Sequence, residues 1–157
     1  MRSLSKAQLA AITVTILLCV LLYFAPNKPK IEPIEINSLD VKVEQAIALV
    51  HEGKEPMKGI MLLREVLKED SMNVMAHFHL GVFSIQSNQY EKAVGRFKRV
   101  LEIDAGNTDA YYYLGHAHAG LGQKERAIEN FEKFKSSVSD EKRKADAEKY
   151  INELKNI

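Results

Sequence analysis

The sequence has no tryptophan, one cysteine and four prolines in 157 residues. A single thiol, Cys19, excludes an intramolecular disulfide framework and any cysteine-rich zinc site. Net charge is also nearly missing, with 22 Lys plus Arg against 21 Asp plus Glu. A total of +1 excludes bulk electrostatic attraction to nucleic acid as the chain's main business. What charge asymmetry there is lies at the N-terminus. Residues 1–30 carry Arg2, Lys6, Lys28 and Lys30 and no acid, which leaves the remainder net acidic. Three of the four prolines, Pro26, Pro29 and Pro33, fall close together. With 46% apolar and 27% charged residues, the rest has the composition of a globular domain.

After a short tail at 1–6, residues 7–25 (AQLAAITVTILLCVLLYFA) form an uncharged apolar run. As a helix rising 1.5 Å per residue, such a run matches a bilayer's ~30 Å hydrocarbon core. Cleavage as a signal peptide is disfavoured by Tyr23 at −3 and Pro26 at +1 of the only small-residue exit. Cys19 follows Leu18, a poor context for lipidation. The reading is an uncleaved transmembrane helix, with a buried core helix as the alternative. Residues 26–37 (PNKPKIEPIEIN) then cannot be helical at that proline spacing and read as a semi-extended linker. The basic N-terminal flank suggests N-inside, so the localisation expected is a single-pass bacterial inner-membrane protein with its C-terminal domain on the periplasmic side.

The remaining 120 residues, 38–157, repeat themselves. The segment from Ala76 aligns with that from Ala110, and Leu80-Gly81, Ala93 and Phe97 match Leu114-Gly115, Ala127 and Phe131, each at an offset of 34. This pattern resembles the tetratricopeptide repeat (TPR). Tyr111, Leu114, Gly115, Ala127 and Phe131 fall at its hallmark positions. The resemblance implies an all-α, short right-handed solenoid of three helical hairpins at about 40–73, 74–107 and 108–141, with a capping helix at about 140–156. The first repeat is degenerate, with Val43, Ala46-Ile47, Gly59 and Leu63 at the corresponding positions. The family pairs a small residue on each hairpin's first helix with one on its second, here Gly81 with Ala93 and Gly115 with Ala127. The expectation for the first repeat is therefore that Ile47 fills the space above Gly59. Helix limits follow from Asn37 or Ser38, Gly53, Pro56, Asn73, Asn88, Gly106, Asn107 and Gly120-Leu121-Gly122. The cap's apolar stripe is Ala145, Tyr150, Ile151 and Leu154.

No constellation for catalysis or cofactor binding emerges, and none is expected. His77 and His79, like His116 and His118, are two apart, which separates them around a helix and prevents local chelation. His77 and His118 fall at packing positions. There is no Gly-rich phosphate loop and no nucleophile–base pair. The family resemblance implies binding instead, of a protein or peptide, in a groove lined by the first helix of each hairpin. The period assigns that groove to Glu44, Ala48, His51, Met75, Phe78, Val82, Ile85, Tyr112 and His116. The competing reading is that neighbouring helices, the Ile-rich tether or the cap cover this apolar face, or that it forms a self-association surface in a homo-oligomeric spacer. Family members that clamp a C-terminal carboxylate do so with Lys and Asn on these helices. Glu44, Ala48, Phe78 and Val82 stand there instead, so that clamp is absent.

Overall fold

The computed structural model describes residues 14–17, 38–51, 53 and 55–156. The chain divides into two units, residues 1–35 and 36–157. In the first, only residues 14–17 are described, as helix, with Val14, Ile16 and Leu17 exposed. Among the described residues no helix is long and apolar enough to cross a membrane. The single-pass membrane localisation expected from the sequence, periplasmic placement included, is thus not supported. The tail 1–6, the rest of 7–25 and the linker 26–37 lie outside the described residues.

The second unit is a run of seven helices: α1 (Ser38–His51), α2 (Pro56–Glu69), α3 (Val74–Gln86), α4 (Tyr90–Ile103), α5 (Thr108–Gly120), α6 (Lys124–Ser137) and α7 (Glu141–Lys155). They pack as hairpins α1/α2, α3/α4 and α5/α6. Each hairpin leans on the next through α2/α3 and α4/α5, and α7 lies on α6. First helices also touch one another, α1 against α3 and α3 against α5. This is an all-helical, TPR-like solenoid.

The 34-residue period is visible in the termini. Asn73 and Asn107 accept a hydrogen bond at Oδ1 from the backbone N–H three residues on, at 2.9 and 3.1 Å. Asp140 caps α7 in the same way through Arg143 N at 3.0 Å. These side chains satisfy N–H groups that have no partner within the helix. Pro56 opens α2 at a position where no N–H is needed. Between hairpins, Asp70 and Asp104 end α2 and α4 and then accept from Met72 N (2.9 Å) and Gly106 N (3.0 Å). The break after α4 is thus made by Asp104, and Gly106 follows it. Within hairpins the left-handed residue is Gly53, Asn88 or Gly122, at φ 66°, 55° and 69°. Each donates its N–H three residues back, to Val50, Ile85 or Ala119.

The crossing of the hairpins differs from the expected small-on-small contact. A Cβ on Gly81 would lie 2.7 Å from Cζ of Phe97, and one on Gly115 would lie 2.7 Å from Cε1 of Phe131. The glycine therefore admits the aromatic ring of the second helix, whose atoms are its nearest neighbours, and Ala93 and Ala127 are fully buried as well. In the first hairpin, Ile47 and Leu63 occupy the positions of that glycine and that phenylalanine. Leu63 is fully buried, and Ile47 packs on the cluster that contains it. The exchange of size is between these two. Gly59 meets something different: its Cβ would lie 2.5 Å from the carbonyl oxygen of Ala46 and 2.7 Å from Val50. In the cap, Ala147 and Ile151 are buried, whereas Ala145 is exposed.

These contacts fix the sign of three substitutions. Gly81→Ala drives a methyl into a buried ring and should destabilise by ~1–3 kcal/mol. Gly59→Ala presses on backbone and should lose a similar amount, about 1–3 kcal/mol, with no rescue from Ile47→Gly. Gly95 in α4 has nothing within 4 Å of its would-be Cβ. Gly95→Ala should gain about 0.5–1 kcal/mol from helix propensity alone. Chemical denaturation of the three variants checks the order. A stabilising Gly81→Ala would mean that the ring does not lie on this helix.

Candidate partner-binding groove

The groove residues deduced from the period fall on α1, α3 and α5, which lie side by side. Their exposure grades along the array. Glu44, Ala48 and His51 on α1 are exposed, and Met75 at the start of α3 retains 50% of its surface. Phe78, Val82 and Ile85 are half-buried and pack against the cluster around Phe97, Val100 and Leu114. Tyr112 and His116 on α5 are half-buried as well.

Aromatic contacts explain this gradation. Phe78 meets Phe97 edge-on at 5.6 Å and Tyr113 at 5.2 Å, and Tyr113 stacks on Phe97 at 5.3 Å. The same arrangement recurs one repeat later with a helix of different origin. Tyr150 of α7 stacks on Phe131 at 5.4 Å, and its ring stands 6.2 Å from Tyr112 and 4.5 Å from His116. Tyr150 thus takes on Phe131 the place that Tyr113 takes on Phe97, and α7 covers part of the α5 rung. One repeat before Tyr113, on α3, the corresponding position is taken by His79, whose ring lies 5.6 Å from Phe78.

Burial sets the titration of these groups. It pushes the Tyr112 phenol up to about 12, with Tyr150 reinforcing the shift. It holds His116 below the ordinary histidine range. His79 is lowered by burial and then by the charge of His51. His77, on the other side of α3, is lowered by burial first, while its bond to Ser71 opposes the shift. His77 and His118 are buried as the sequence suggested, and His118 Nδ1 lies 2.7 Å from Gln123 Oε1. Tyr150 and Phe134 shape the α5 end of the stripe, with the Phe134 ring 5.0 Å from that of Tyr112. The period could not supply Tyr150, because α7 is not a repeat, whereas Phe134 lies on α6 at the position that Val66 and Val100 hold in the earlier hairpins. Among the described residues no three His, Cys, Asp or Glu side chains converge on a metal-sized site.

Residues 85–122 match the model of the TPR repeat, and residues 109–140 match that of the tetratricopeptide repeat. No curated protein matches the chain. Among solved structures, two mutant forms of MamA are 26% identical, with TM-scores of 0.63 and 0.65. They cover 75% of this chain, which in turn spans 66% and 63% of theirs. The first TPR of Spaghetti (RPAP3), bound to an HSP90 peptide, is 15% identical over 75% of this chain and 90% of that one, with a TM-score of 0.68. The type III secretion translocator chaperone SycD of Yersinia enterocolitica is 11% identical over 75% and 83%, with a TM-score of 0.70. At those lower identities the likeness is one of fold.

Three histidines held below their ordinary range give the domain a pH dependence of known sign. The folded state binds fewer protons than the unfolded chain, whose histidines titrate near ~6.5. Stability is therefore fully present above about 6.5 and is lost as pH falls through that value toward the folded-state values. Thermal melts between neutral and mildly acidic pH should show a falling Tm. Replacing His77, His79 and His116 together by Gln should flatten the slope. The Glu129 and Glu148 carboxylates, held low by hydrogen bonds to Lys133 and Lys135, act only in the more acidic carboxylate range.

Proposed function

We propose that this chain is a tetratricopeptide-repeat scaffold that binds a protein or peptide partner along the face of α1, α3 and α5. The observation that carries the reading is the gradient of exposure along that face. Ala48, His51 and Met75 are open, Phe78, Val82 and Ile85 are half-buried behind them, and Tyr112 and His116 close the α5 end against Tyr150. A partner segment would lay apolar side chains over Phe78, Val82 and Met75 and place polar groups near Glu44 and His51. The Spaghetti domain carries an HSP90 peptide. Here the positions that the family uses to clamp a terminal carboxylate are Glu44, Ala48, Phe78 and Val82, so a ligand of that kind finds an acid and three uncharged side chains. The partner is thus read as an internal, apolar segment.

Ala48→Arg and Met75→Glu place charges on the open part of the face and touch no core cluster. A partner captured by crosslinking to the wild-type full chain should bind each variant at least about tenfold more weakly, the effect of a hot-spot substitution, at unchanged Tm. An HSP90-tail peptide should not bind the wild type. Equal capture by wild type and both variants would overturn this assignment. So would a wild-type mass that rises with concentration and is reset to monomer by Ala48→Arg, which would identify the face as a self-association surface.

A further inference from the structure

α3 has a second open side. His77, Leu80 and Ser84 lie more than a third of a turn around the helix from Phe78, Val82 and Ile85, and they form the floor of a cleft walled by α2 and α4. The cleft encloses about 390 Å³, and a smaller hollow of about 280 Å³ adjoins it, sharing Arg64, His77 and Arg96.

The charge of this cleft is of one sign. Arg64, Lys92, Arg96 and Arg99 line it, Lys68 lines the adjoining hollow, and no Asp or Glu lines either. Arg99 is joined to Glu102 at 2.9 Å. Among the described residues, neither Arg64 nor Arg96 pairs with a carboxylate. Arg96 is half-buried and donates through Nη1 to Nδ1 of His77 at 3.1 Å, while His77 Nε2 is 3.1 Å from the carbonyl oxygen of Ser71. With Nε2 donating to that carbonyl, Nδ1 is left as the acceptor for Arg96. The guanidinium is thereby held at the cleft wall by a neutral group, with its charge uncompensated. Its burial and the neighbouring Arg64 charge both work against the protonated form, and a bound anion would relieve both.

The lining also has an apolar part, made by Met57, Ile60, Leu80 and Phe83. We propose that the cleft between α2, α3 and α4 is a second binding site, which takes an acidic peptide segment carrying an apolar side chain between its carboxylates. The guanidiniums of Arg64 and Arg96 present forked donors matched to carboxylates, and Met57 with Ile60 receives the apolar side chain. A bare phosphate would leave that apolar part unused. A nucleic acid strand would need a longer basic track and open aromatic faces, whereas Phe83 is buried and the domain as a whole carries almost no net charge.

The test uses the full chain and the blocked pentapeptide Glu-Asp-Leu-Glu-Glu, followed by calorimetric titration. Binding is expected, and it should weaken as salt rises. Arg64→Gln and Lys92→Gln are exposed substitutions. Each should weaken binding by about tenfold, the loss expected for one charge-assisted hydrogen bond, with an unchanged melting curve. The analogue Gln-Asn-Leu-Gln-Gln should not bind, and Ala48→Arg on the opposite face should leave the affinity unchanged. That last result separates this site from the groove of α1, α3 and α5. The proposal is overturned if the amide analogue binds as well as the acidic peptide, if both Gln variants retain wild-type affinity, or if inorganic phosphate or a thymidine oligonucleotide binds more tightly than the peptide.

Discussion

The spacing of the second and third hairpins depends on one contact, a phenylalanine ring lying against a helix that has no side chain at that point. Phe97 sits on Gly81 and Phe131 on Gly115, and both rings are essentially fully buried. The ring also presents its other side to the next helix, where Tyr113 or Tyr150 stacks on it. The same side chain therefore fixes the separation within a hairpin and the seat of the following helix. Any change that lifts the ring must disturb both contacts, because cores at crystal-like density do not relax freely. The first hairpin reaches a similar solution with Ile47 and Leu63, and it adds a backbone approach at Gly59 that the other two lack.

Much of this was legible in the sequence, for reasons that can be located. An offset of 34 shared by Leu-Gly, Ala and Phe specified three hairpins, and Asn73, Asn107 and Pro56 specified where helices begin. These are local signals, carried by residues whose backbone role is the same wherever they stand. The crossing was misassigned because residue size gives volume without direction. Ala93 and Ala127 are small and buried, but Phe97 and Phe131 are the side chains aimed at the glycines. Asp70 and Asp104 are also 34 apart and end two helices, a periodic signal that the sequence carries beside the more familiar glycine. The basic cleft had no periodic signature. Lys92 and Arg96 lie on α4 and Arg64 on α2, and only the packing of α3 between those helices brings them together. The membrane reading of 7–25 rested on run length and apolarity, and the described helices contain no such span.

α3 reads as apolar nearly all round because it is the central helix of the array. It touches α1, α2, α4 and α5, and a helix with so many neighbours cannot keep a wide polar face. What it can keep is two narrow openings, one between the first helices and one between the second helices. The groove of α1, α3 and α5 and the cleft of α2, α3 and α4 are those openings. Their chemistry differs because their walls differ. α1 contributes Glu44 and Ala48, whereas α2 and α4 contribute arginines and lysine.

The packing of α7 on the third hairpin has a consequence for the groove. A hairpin ending on α6 would leave Phe131 with one side bare, as a solenoid's last repeat does unless something caps it. α7 meets that need by burying Ala147 and Ile151 and by stacking Tyr150 on the ring. The outer side of α7 is charged, as a helix that covers the last hairpin requires. The ring that completes the core also leans over Tyr112 and His116. Capping and access are thus opposed at the α5 rung. A partner that engaged Tyr112 and His116 fully would have to displace Tyr150 and reopen the core around Phe131. One that stayed on α1 and α3 would leave the cap in place. The open part of the face is therefore at the end farthest from the cap, where Ala48, His51 and Met75 already stand exposed.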